Sequence, residues 1–161
     1  MKAGGPIDDS AVTVPYSKDI LQDDGGWSYE AKDPTEVVDM AQMLEFVQND
    51  NRDTVIVDPR GSSFAKGYIP GAINIPYSSF VDASKTVRLK SKSDLTKLFD
   101  DAGIDPLTDK TIITSCGSGV SVCRILLALE ECGRSPDQFK TLMYDGSWAE
   151  WGADPDTPKV K

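Results

Sequence analysis

The stretch that decides the fold runs from Thr111 to Cys132 and reads TIITSCGSGVSVCRILLALEEC. It begins with the β-branched run Thr111–Thr114, which is typical of a buried strand. It ends with apolar residues at helical spacing from Val122 onward, which predict an α-helix. Between the two lies CGSGVS, residues 116–121, a loop with two glycines. A strand, a short loop and a helix in this order are typical of a parallel α/β sheet.

Cys116 is the candidate nucleophile of this stretch. A loop that leads into a helix curls several backbone N–H groups around one point, and the helix N-terminus adds a partial positive charge. A free thiol has a pKa of about 8.5, and lowering that pKa by about two takes roughly 2.7 kcal/mol. Hydrogen bonds to a charged group contribute about 1.5–3 kcal/mol each, so two N–H donors are enough to hold a thiolate. The alternative is a structural cysteine beside an ordinary turn. The predicted donors are the N–H groups of Gly117, Ser118, Gly119, Val120 and Ser121.

The composition restricts the classes of function. A chain of 161 residues is expected to form one domain with a substantial core. The net charge of −9 argues against nucleic acid and anionic membrane as partners. Three cysteines without metal-type spacing, and no histidine, argue against a metal site or a disulfide framework, and nothing indicates a cofactor. A working thiol is typical of a reducing compartment, so we expect a cytoplasmic protein, or a mitochondrial one whose targeting segment is not visible here.

Three regions are predicted along the chain. Residues 1–34 are polar and interrupted by glycine and proline, which indicates an extended N-terminal arm or an interdomain linker. Residues 35–152 alternate strand and helix patterns and predict a single α/β domain, with a parallel sheet flanked by helices on both faces. Residues 153–161 are rich in proline and aspartate and predict a loose C-terminal tail.

Further elements are predicted around the central stretch. Asp39 and Gln42 are spaced as a capping box that starts a helix. Residues 54–58 are apolar enough for a strand that is buried on both faces. Another helix is expected to start at Ser93 and to stop at Gly103.

The carboxyl ends of parallel strands are where such sheets bind their ligands. Three predicted strands would bring Asp58, Cys116 and Asp145 to that edge. The last of these strands, residues 140–144, is followed by a short predicted helix at 147–151.

Four segments of the chain together indicate a family. They are VIVDPR (55–60), GYIPGAINIP (67–76), CGSGVS (116–121) and YDGSWAEW (144–151). In this order they resemble the strand ending in Asp-x-Arg, the Gly-His-Ile-Pro-Gly-Ala signature, the active-site loop and the closing segment of the rhodanese superfamily. The loop is similar to that of the 3-mercaptopyruvate sulfurtransferase branch. The resemblance covers about residues 35–152 and implies a rhodanese-like fold.

The resemblance also implies a function, sulfur transfer through a persulfide on Cys116. The donor would be 3-mercaptopyruvate-like, or thiosulfate, and the acceptor a thiol such as thioredoxin or glutathione, or cyanide. Ser118 would hydrogen-bond the sulfur or pass a proton to the leaving group. In the resembled branch this serine belongs to a Cys-Ser-Asp relay whose aspartate comes from another domain, so a second rhodanese-like domain is a further expected partner.

Four more side chains are candidates around the loop. Arg60 matches the arginine of Asp-x-Arg and is expected to pair with Asp58 and support the loop from behind; the alternative is contact with the substrate. Tyr77 and Trp148 are expected to form an apolar wall over the sulfur, or else to be ordinary core aromatics.

The chain departs from the resembled patterns at two places. The segment after Asp-x-Arg is short and lacks the two arginines that hold the substrate carboxylate in the mercaptopyruvate branch, leaving Lys66 or Arg60 as weaker substitutes. Gly117 and Ser118 are neutral where the thiosulfate branch carries cations, which argues against efficient use of thiosulfate.

Two other functions remain open at this point. One is a rhodanese-like phosphatase, but the position that would need an arginine at the end of the loop holds Val122, and Arg124 follows inside the helix. The other is an interaction module, or half of a two-domain enzyme without independent activity. Cys123 and Cys132 are interpreted as core thiols, with a resolving role for Cys123 as the alternative.

Overall fold

The computed structural model describes residues 37–49, 53–82, 84 and 88–161. The arm predicted at residues 1–34 lies outside these described residues. The strands are β1 (Val37–Val38), β2 (Thr54–Asp58), β3 (Ala72–Asn74), β4 (Val81–Asp82), β5 (Arg88–Leu89), β6 (Thr111–Thr114) and β7 (Thr141–Tyr144). The helices are α1 (Met40–Gln48), α2 (Lys92–Asp101), α3 (Val122–Cys132) and α4 (Ser147–Trp151), and two 3-10 turns span Phe64–Lys66 and Tyr77–Phe80. Of the helices within the described ranges, none is long and apolar enough to cross a membrane.

The main sheet is parallel, as the sequence predicted. Its described strands follow the order β1-β7-β6-β2-β3, and each neighbouring pair runs in the same direction. β6 lies in the middle, where Ile113 is opposite Ile56 on one side and Leu142 on the other. A separate antiparallel pair is formed by β4 and β5. The strand that feeds the cysteine loop is therefore flanked by strands on both sides.

Helices cover both faces of the sheet because successive side chains of a strand point to opposite faces. Ile112 of β6 belongs to a cluster that contains Leu95 of α2 and Ile125 of α3. Its neighbour Ile113 belongs to a second cluster, with Met43 of α1 and Trp151 of α4. The predicted architecture, a parallel sheet between two helical layers, is confirmed.

Two of the helices, α1 and α2, begin at residues whose side chains form N-caps. The predicted box before α1 is present: the Gln42 N–H donates to Asp39 Oδ1 at 2.8 Å, and the Asp39 N–H donates to Gln42 Oε1 at 3.0 Å. α2 starts slightly earlier than predicted from Ser93. Ser91 is its N-cap, because the Ser91 Oγ accepts the Asp94 N–H at 3.2 Å and donates to the Asp94 carboxylate at 2.6 Å.

The C-terminal tail differs from the loose segment expected at 153–161. The Trp151 indole N–H donates to the carbonyl of Pro158 at 2.8 Å, and the Thr157 hydroxyl donates to the carbonyl of Trp151 at 2.6 Å. Val160 forms an antiparallel bridge with Tyr68, with N···O distances of 3.0 and 3.1 Å. The structure corrects the expectation, because a polar composition does not reveal backbone groups that pair with a distant loop.

Candidate active site

Cys116 lies at the carboxyl edge of the sheet, two residues after β6 ends. Only 1% of the residue is exposed to solvent. The neighbouring strand β2 ends in Asp58, and β7 is followed directly by Asp145. Since the three strands are parallel, their carboxyl ends meet at one edge, as expected from the sequence.

The surroundings of the Cys116 sulfur have opposing effects on its ionisation. Burial is the largest of them and raises the pKa of the Cys116 thiol. Hydrogen bonding from the Ser121 hydroxyl, and from the backbone N–H groups of Ser118, Ser121 and Val122, lowers it. The donors together outweigh burial, so the pKa of Cys116 lies below its ordinary value. Hydrogen-bond donors around a buried sulfur thus favour its thiolate form.

The two loop serines have different parts in this arrangement. The Ser118 hydroxyl is predicted to hydrogen-bond the sulfur or to pass a proton to the leaving group. In the structure Ser118 is exposed, and it is its backbone N–H that lowers the pKa of Cys116. The hydroxyl that lowers the thiol pKa belongs to Ser121. Ser121 is also the N-cap residue of α3, but its side chain makes no capping hydrogen bond. The Ser121 hydroxyl therefore interacts with the sulfur rather than capping α3.

Of the five predicted N–H donors, those of Ser118 and Ser121 lower the pKa of the Cys116 thiol, whereas those of Gly117, Gly119 and Val120 are not among its main contributors. Gly119 has a φ of +78°, and its N–H donates to the Ser147 Oγ at 3.2 Å. An added Cβ at Gly119 would lie 2.5 Å from Asp145 Oδ1, so only glycine fits this position. The N–H of Val122, which was not among the predicted donors, also lowers the pKa of the Cys116 thiol.

The back of the loop is held by the segment that begins α4. The Cys116 N–H donates to Ser147 Oγ at 3.0 Å, and the Ser147 hydroxyl donates to the carbonyl of Tyr144 at 2.8 Å. The carbonyls of Cys116 and Gly117 accept the N–H groups of Trp148 and Ala149, at 3.0 and 2.9 Å. The sequence predicted no role at the site for Ser147. The available signal was its position in the segment YDGSWAEW, where it is a polar residue between a glycine and a tryptophan.

Arg60 and Asp58 form a buried ion pair. The Arg60 Nε lies 2.8 and 3.1 Å from the two carboxylate oxygens of Asp58, and its Nη2 lies 2.8 Å from Oδ2. The same guanidinium donates to the carbonyl of Gly67 at 2.9 Å. Arg60 is 6% exposed, and its Cδ lies 4.0 Å from the position that a Cβ on Gly117 would occupy. This geometry favours support of the loop from behind over contact with a substrate.

The two aromatic candidates occupy different surroundings. The Trp148 ring lies over the Arg60 guanidinium, 4.8 Å from ring centroid to Cζ. Tyr77 is 45% exposed, and its ring lies 5.0 Å from Arg124 Cζ. Trp148 therefore packs on the ion pair, and Tyr77 lies at the surface beside the start of α3. Within the described part of the chain, no group of three or more His, Cys, Asp or Glu side chains is placed to hold a metal ion.

Comparison with known proteins identifies the family. The sequence profile of the rhodanese-like domain matches residues 39–154. The chain belongs to the rhodanese family. The match includes the cysteine loop and ends at residue 154, so the site described above lies within a rhodanese domain.

Individual relatives extend this assignment. This rhodanese domain is 39% identical over 102 residues to the 3-mercaptopyruvate sulfurtransferase of Escherichia coli K12, which covers 63% of this chain and 33% of the relative. It is also 39% identical over 85 residues to the thiosulfate sulfurtransferase of Gallus gallus, covering 53% of this chain and 27% of the relative. The crystal structure of SseA from Escherichia coli, a 3-mercaptopyruvate sulfotransferase with the rhodanese fold, superposes with a TM-score of 0.58 at 30% identity, over 76% of this chain and 46% of SseA. The chain thus spans about a third of the length of these two curated relatives.

Proposed function

We propose that this rhodanese domain is a sulfurtransferase that carries sulfur as a persulfide on Cys116. The donor is a small molecule of the 3-mercaptopyruvate type, and the acceptor is a thiol, such as thioredoxin or glutathione, or cyanide. The observation that carries the proposal is the convergence of the Ser121 hydroxyl and three backbone N–H groups on a buried sulfur. Relatives named 3-mercaptopyruvate sulfurtransferase and thiosulfate sulfurtransferase support the reaction class.

The first half of the reaction loads the sulfur. The Cys116 thiolate attacks the donor sulfur and a sulfur–sulfur bond forms. With 3-mercaptopyruvate, the carbon–sulfur bond breaks and its electron pair leaves with the carbon as the enolate of pyruvate, which then takes up a proton. The donors that favour the thiolate also favour a negative charge on the new persulfide, because they are fixed before the reaction begins.

The second half of the reaction transfers the outer sulfur of the persulfide to the acceptor. A nucleophilic acceptor attacks the outer sulfur of the persulfide, the sulfur–sulfur bond breaks, and its electron pair returns to Cys116 as thiolate. No external oxidant or reductant is consumed when a thiol acceptor becomes a persulfide. The two halves are separate displacements on one residue, so ping-pong kinetics are expected.

The choice of donor follows from the charges around the loop. Gly117 and Ser118 place no cation at the mouth of the loop, which disfavours the doubly charged thiosulfate. Arg60 is bound to Asp58 and to the carbonyl of Gly67, so it is a poor anchor for a substrate carboxylate. Lys66 is exposed at the end of a 3-10 turn and is the remaining candidate near this segment. We therefore expect turnover of 3-mercaptopyruvate, with weak binding of its carboxylate and slower turnover of thiosulfate.

A pair of assays tests the proposal. Purified protein is incubated with 3-mercaptopyruvate or thiosulfate, thiocyanate formation from cyanide is measured, and the mass of the protein is recorded before cyanide is added. We expect a mass gain of one sulfur atom on Cys116 and faster thiocyanate formation with 3-mercaptopyruvate. The Cys116→Ser variant is the control and should show neither. Absence of both the mass gain and thiocyanate with either donor would refute the proposal.

A second candidate function is half of a two-domain enzyme that has no turnover alone. It is favoured by one observation, that the chain covers only 33% of the Escherichia coli relative. In that case Cys116 would still accept sulfur in the mass measurement but would not release it to cyanide at a catalytic rate. The phosphatase alternative is disfavoured, because Arg124 stacks on Tyr77 rather than closing the loop. An aryl phosphate assay is expected to give no product.

A further inference from the structure

We propose that Ser147 is a positioning residue: its buried hydroxyl holds the Cys116 loop in the one conformation that turns N–H groups toward the sulfur and carbonyl groups away from it. The inference rests on the proposed function of Cys116, since it concerns how the same sulfur is prepared. Ser147 does not belong to the loop and is 31 residues away from Cys116 along the chain.

The Ser147 hydroxyl uses its full hydrogen-bonding capacity on this segment. A hydroxyl has one donor and two acceptor positions. The donor goes to the carbonyl of Tyr144 at 2.8 Å, and the two acceptor positions take the N–H groups of Cys116 and Gly119, at 3.0 and 3.2 Å. Ser147 is fully buried, so solvent does not replace these contacts if the hydroxyl is removed. The side chain therefore ties the start of the loop, its middle and the end of β7 to one oxygen.

The neighbouring N–H groups complete the same function. The Ala149 N–H donates to the carbonyl of Gly117 at 2.9 Å, so that this carbonyl points toward α4. In a trans peptide unit the C=O and N–H bonds point in opposite directions. The N–H of Ser118, which shares this peptide unit with the Gly117 carbonyl, is thereby turned away from α4, and it is one of the donors to the Cys116 sulfur. The contacts behind the loop thus determine which groups face the sulfur in front.

The backbone of Ser147 indicates that this placement is demanding. Its φ is +52°, and it is the one non-glycine residue in the described ranges with a positive φ. A left-handed backbone conformation is strained for a residue that has a Cβ, and it persists only where the surrounding contacts hold it in place. Glycine would adopt it without strain, so the presence of serine points to the hydroxyl as the reason.

The experiment measures the titration of the Cys116 thiol rather than turnover. The full chain and its variants are alkylated with iodoacetamide across a pH series, and tandem mass spectrometry assigns the modified fraction to Cys116 and separates it from Cys123. For Ser147→Ala we expect the thiol pKa to rise by about one, so that alkylation below that pKa is about tenfold slower. Ser147→Gly removes the same hydroxyl while relieving the positive φ, and we expect the same rise. Circular dichroism verifies that each variant is folded.

Ser115→Ala is the matched control. Ser115 is next to Cys116 and 1% exposed, but among the described residues its hydroxyl is one that finds no hydrogen-bond partner. Its removal should leave the pKa of Cys116 unchanged. A rise in Ser147→Ala but not in Ser147→Gly would overturn the proposal in favour of backbone strain, and a rise in neither would overturn it outright. If Ser147→Ala does not fold, Ser147→Gly decides alone.

The outcome is separable from that of the proposed function. If the wild-type protein transfers no sulfur but both Ser147 variants show the raised thiol pKa, the positioning role stands and the sulfurtransferase proposal fails. If the wild-type protein transfers sulfur but the thiol pKa in both Ser147 variants equals that of the wild type, the sulfurtransferase proposal stands and the positioning role fails.

Discussion

A buried cysteine lies near each end of α3, and the pKa values of the two thiols are shifted in opposite directions. Cys116 lies in the loop before the N-terminus of the helix and is 1% exposed; Cys132 is the last residue of the helix and is 3% exposed. The pKa of Cys116 is lowered from its ordinary value, whereas the pKa of Cys132 is raised. Burial is nearly the same at both ends, so it cannot be what distinguishes them.

The difference lies in the groups that surround each sulfur. Burial raises the pKa of Cys132, and the hydroxyl of Thr96, which donates to its sulfur at 3.6 Å, lowers that pKa only partly. The charge of Lys92 also lowers this pKa, whereas the carboxylates of Asp100 and Glu131 add to the rise. Backbone N–H groups point out of a helix at its N-terminus and carbonyls at its C-terminus. The N–H groups near the start of α3 therefore favour a thiolate at Cys116, whereas burial and two carboxylates favour a neutral thiol at Cys132.

The largest effect is expected when each of the two cysteines is replaced by serine. Cys116→Ser should abolish persulfide formation and thiocyanate release, because the oxygen is not an equivalent nucleophile. Cys132→Ser should keep sulfur transfer close to the wild-type rate, since this thiol contacts Thr96 and not the loop. The measurement is the cyanide assay with 3-mercaptopyruvate, with persulfide detected by mass spectrometry. Loss of activity in Cys132→Ser with a normal melting temperature would contradict the contrast.

The second test compares glycines with positive φ at the two ends. Ala at Gly119 would have a φ of +78° and a Cβ 2.5 Å from Asp145 Oδ1 and 3.0 Å from the Asp145 carbonyl oxygen, so the loop or the Asp145 backbone must shift. A shift of about 1 Å at a catalytic group can cost about a hundredfold in rate, and we expect a loss of kcat/KM of that order. A Cβ at Gly133 would meet the flexible end of Lys92 at 3.4 Å and Leu107 Cδ2 at 4.0 Å, both ordinary contacts. We expect Gly133→Ala to cost about 1–2 kcal/mol of stability for its φ of +103° and to leave kcat/KM unchanged.

The third test separates the two serines of the loop. Ser121→Ala removes a hydroxyl that stabilises the Cys116 thiolate, so the thiol pKa should rise and kcat/KM at neutral pH should fall about tenfold. Ser118→Ala keeps the contributing N–H and should leave the thiol pKa unchanged. Alkylation rates across pH, measured beside kcat, distinguish them. A fall in kcat for Ser118→Ala without a change in thiol pKa would assign the exposed hydroxyl to proton transfer.

The smallest expected effect is on the pH dependence of stability. The folded pKa of Cys116 is below its unfolded value of about 8.5, so between the two the unfolded chain binds more protons and stability rises with pH, by at most about 1.4 kcal/mol per pH unit. For Cys132 the folded pKa is raised, so its contribution is present below about pH 8.5 and is lost as pH rises further. Urea denaturation at a series of pH values measures both. Cys116→Ser should flatten the rise below about pH 8.5, and Cys132→Ser the fall above it; identical curves for all three proteins would contradict both pKa assignments.

Much of the fold could be predicted because its elements have strong local patterns. The run Thr111–Thr114 forms β6 as predicted, and the apolar periodicity from Val122 forms α3. The strand at Thr54–Asp58 and the short helix at Ser147–Trp151 also have the predicted bounds. β1 was not predicted, since two residues carry too little periodicity to be recognised.

The candidate site could be predicted only in part. A cysteine between a buried strand and a helix identifies Cys116 from the sequence, and Asp58 is found beside Arg60, as expected, because the two are neighbours in the chain. The same sequence predicted that the Ser118 hydroxyl contacts the sulfur or passes a proton to the leaving group, and that the N–H of Gly119 is a donor. The structure assigns the hydroxyl contact to Ser121 and turns Gly119 toward Ser147.

The sequence by itself therefore determined the strand, the loop and the helix, and with them which sulfur lies at the edge of the sheet, because these depend on residues that are adjacent in the chain. The tertiary structure alone decided which backbone dipoles face that sulfur. The orientation of a peptide unit in a loop depends on what its other side is bonded to. Here that other side is bonded to Ser147 and Ala149, about thirty residues further along the chain.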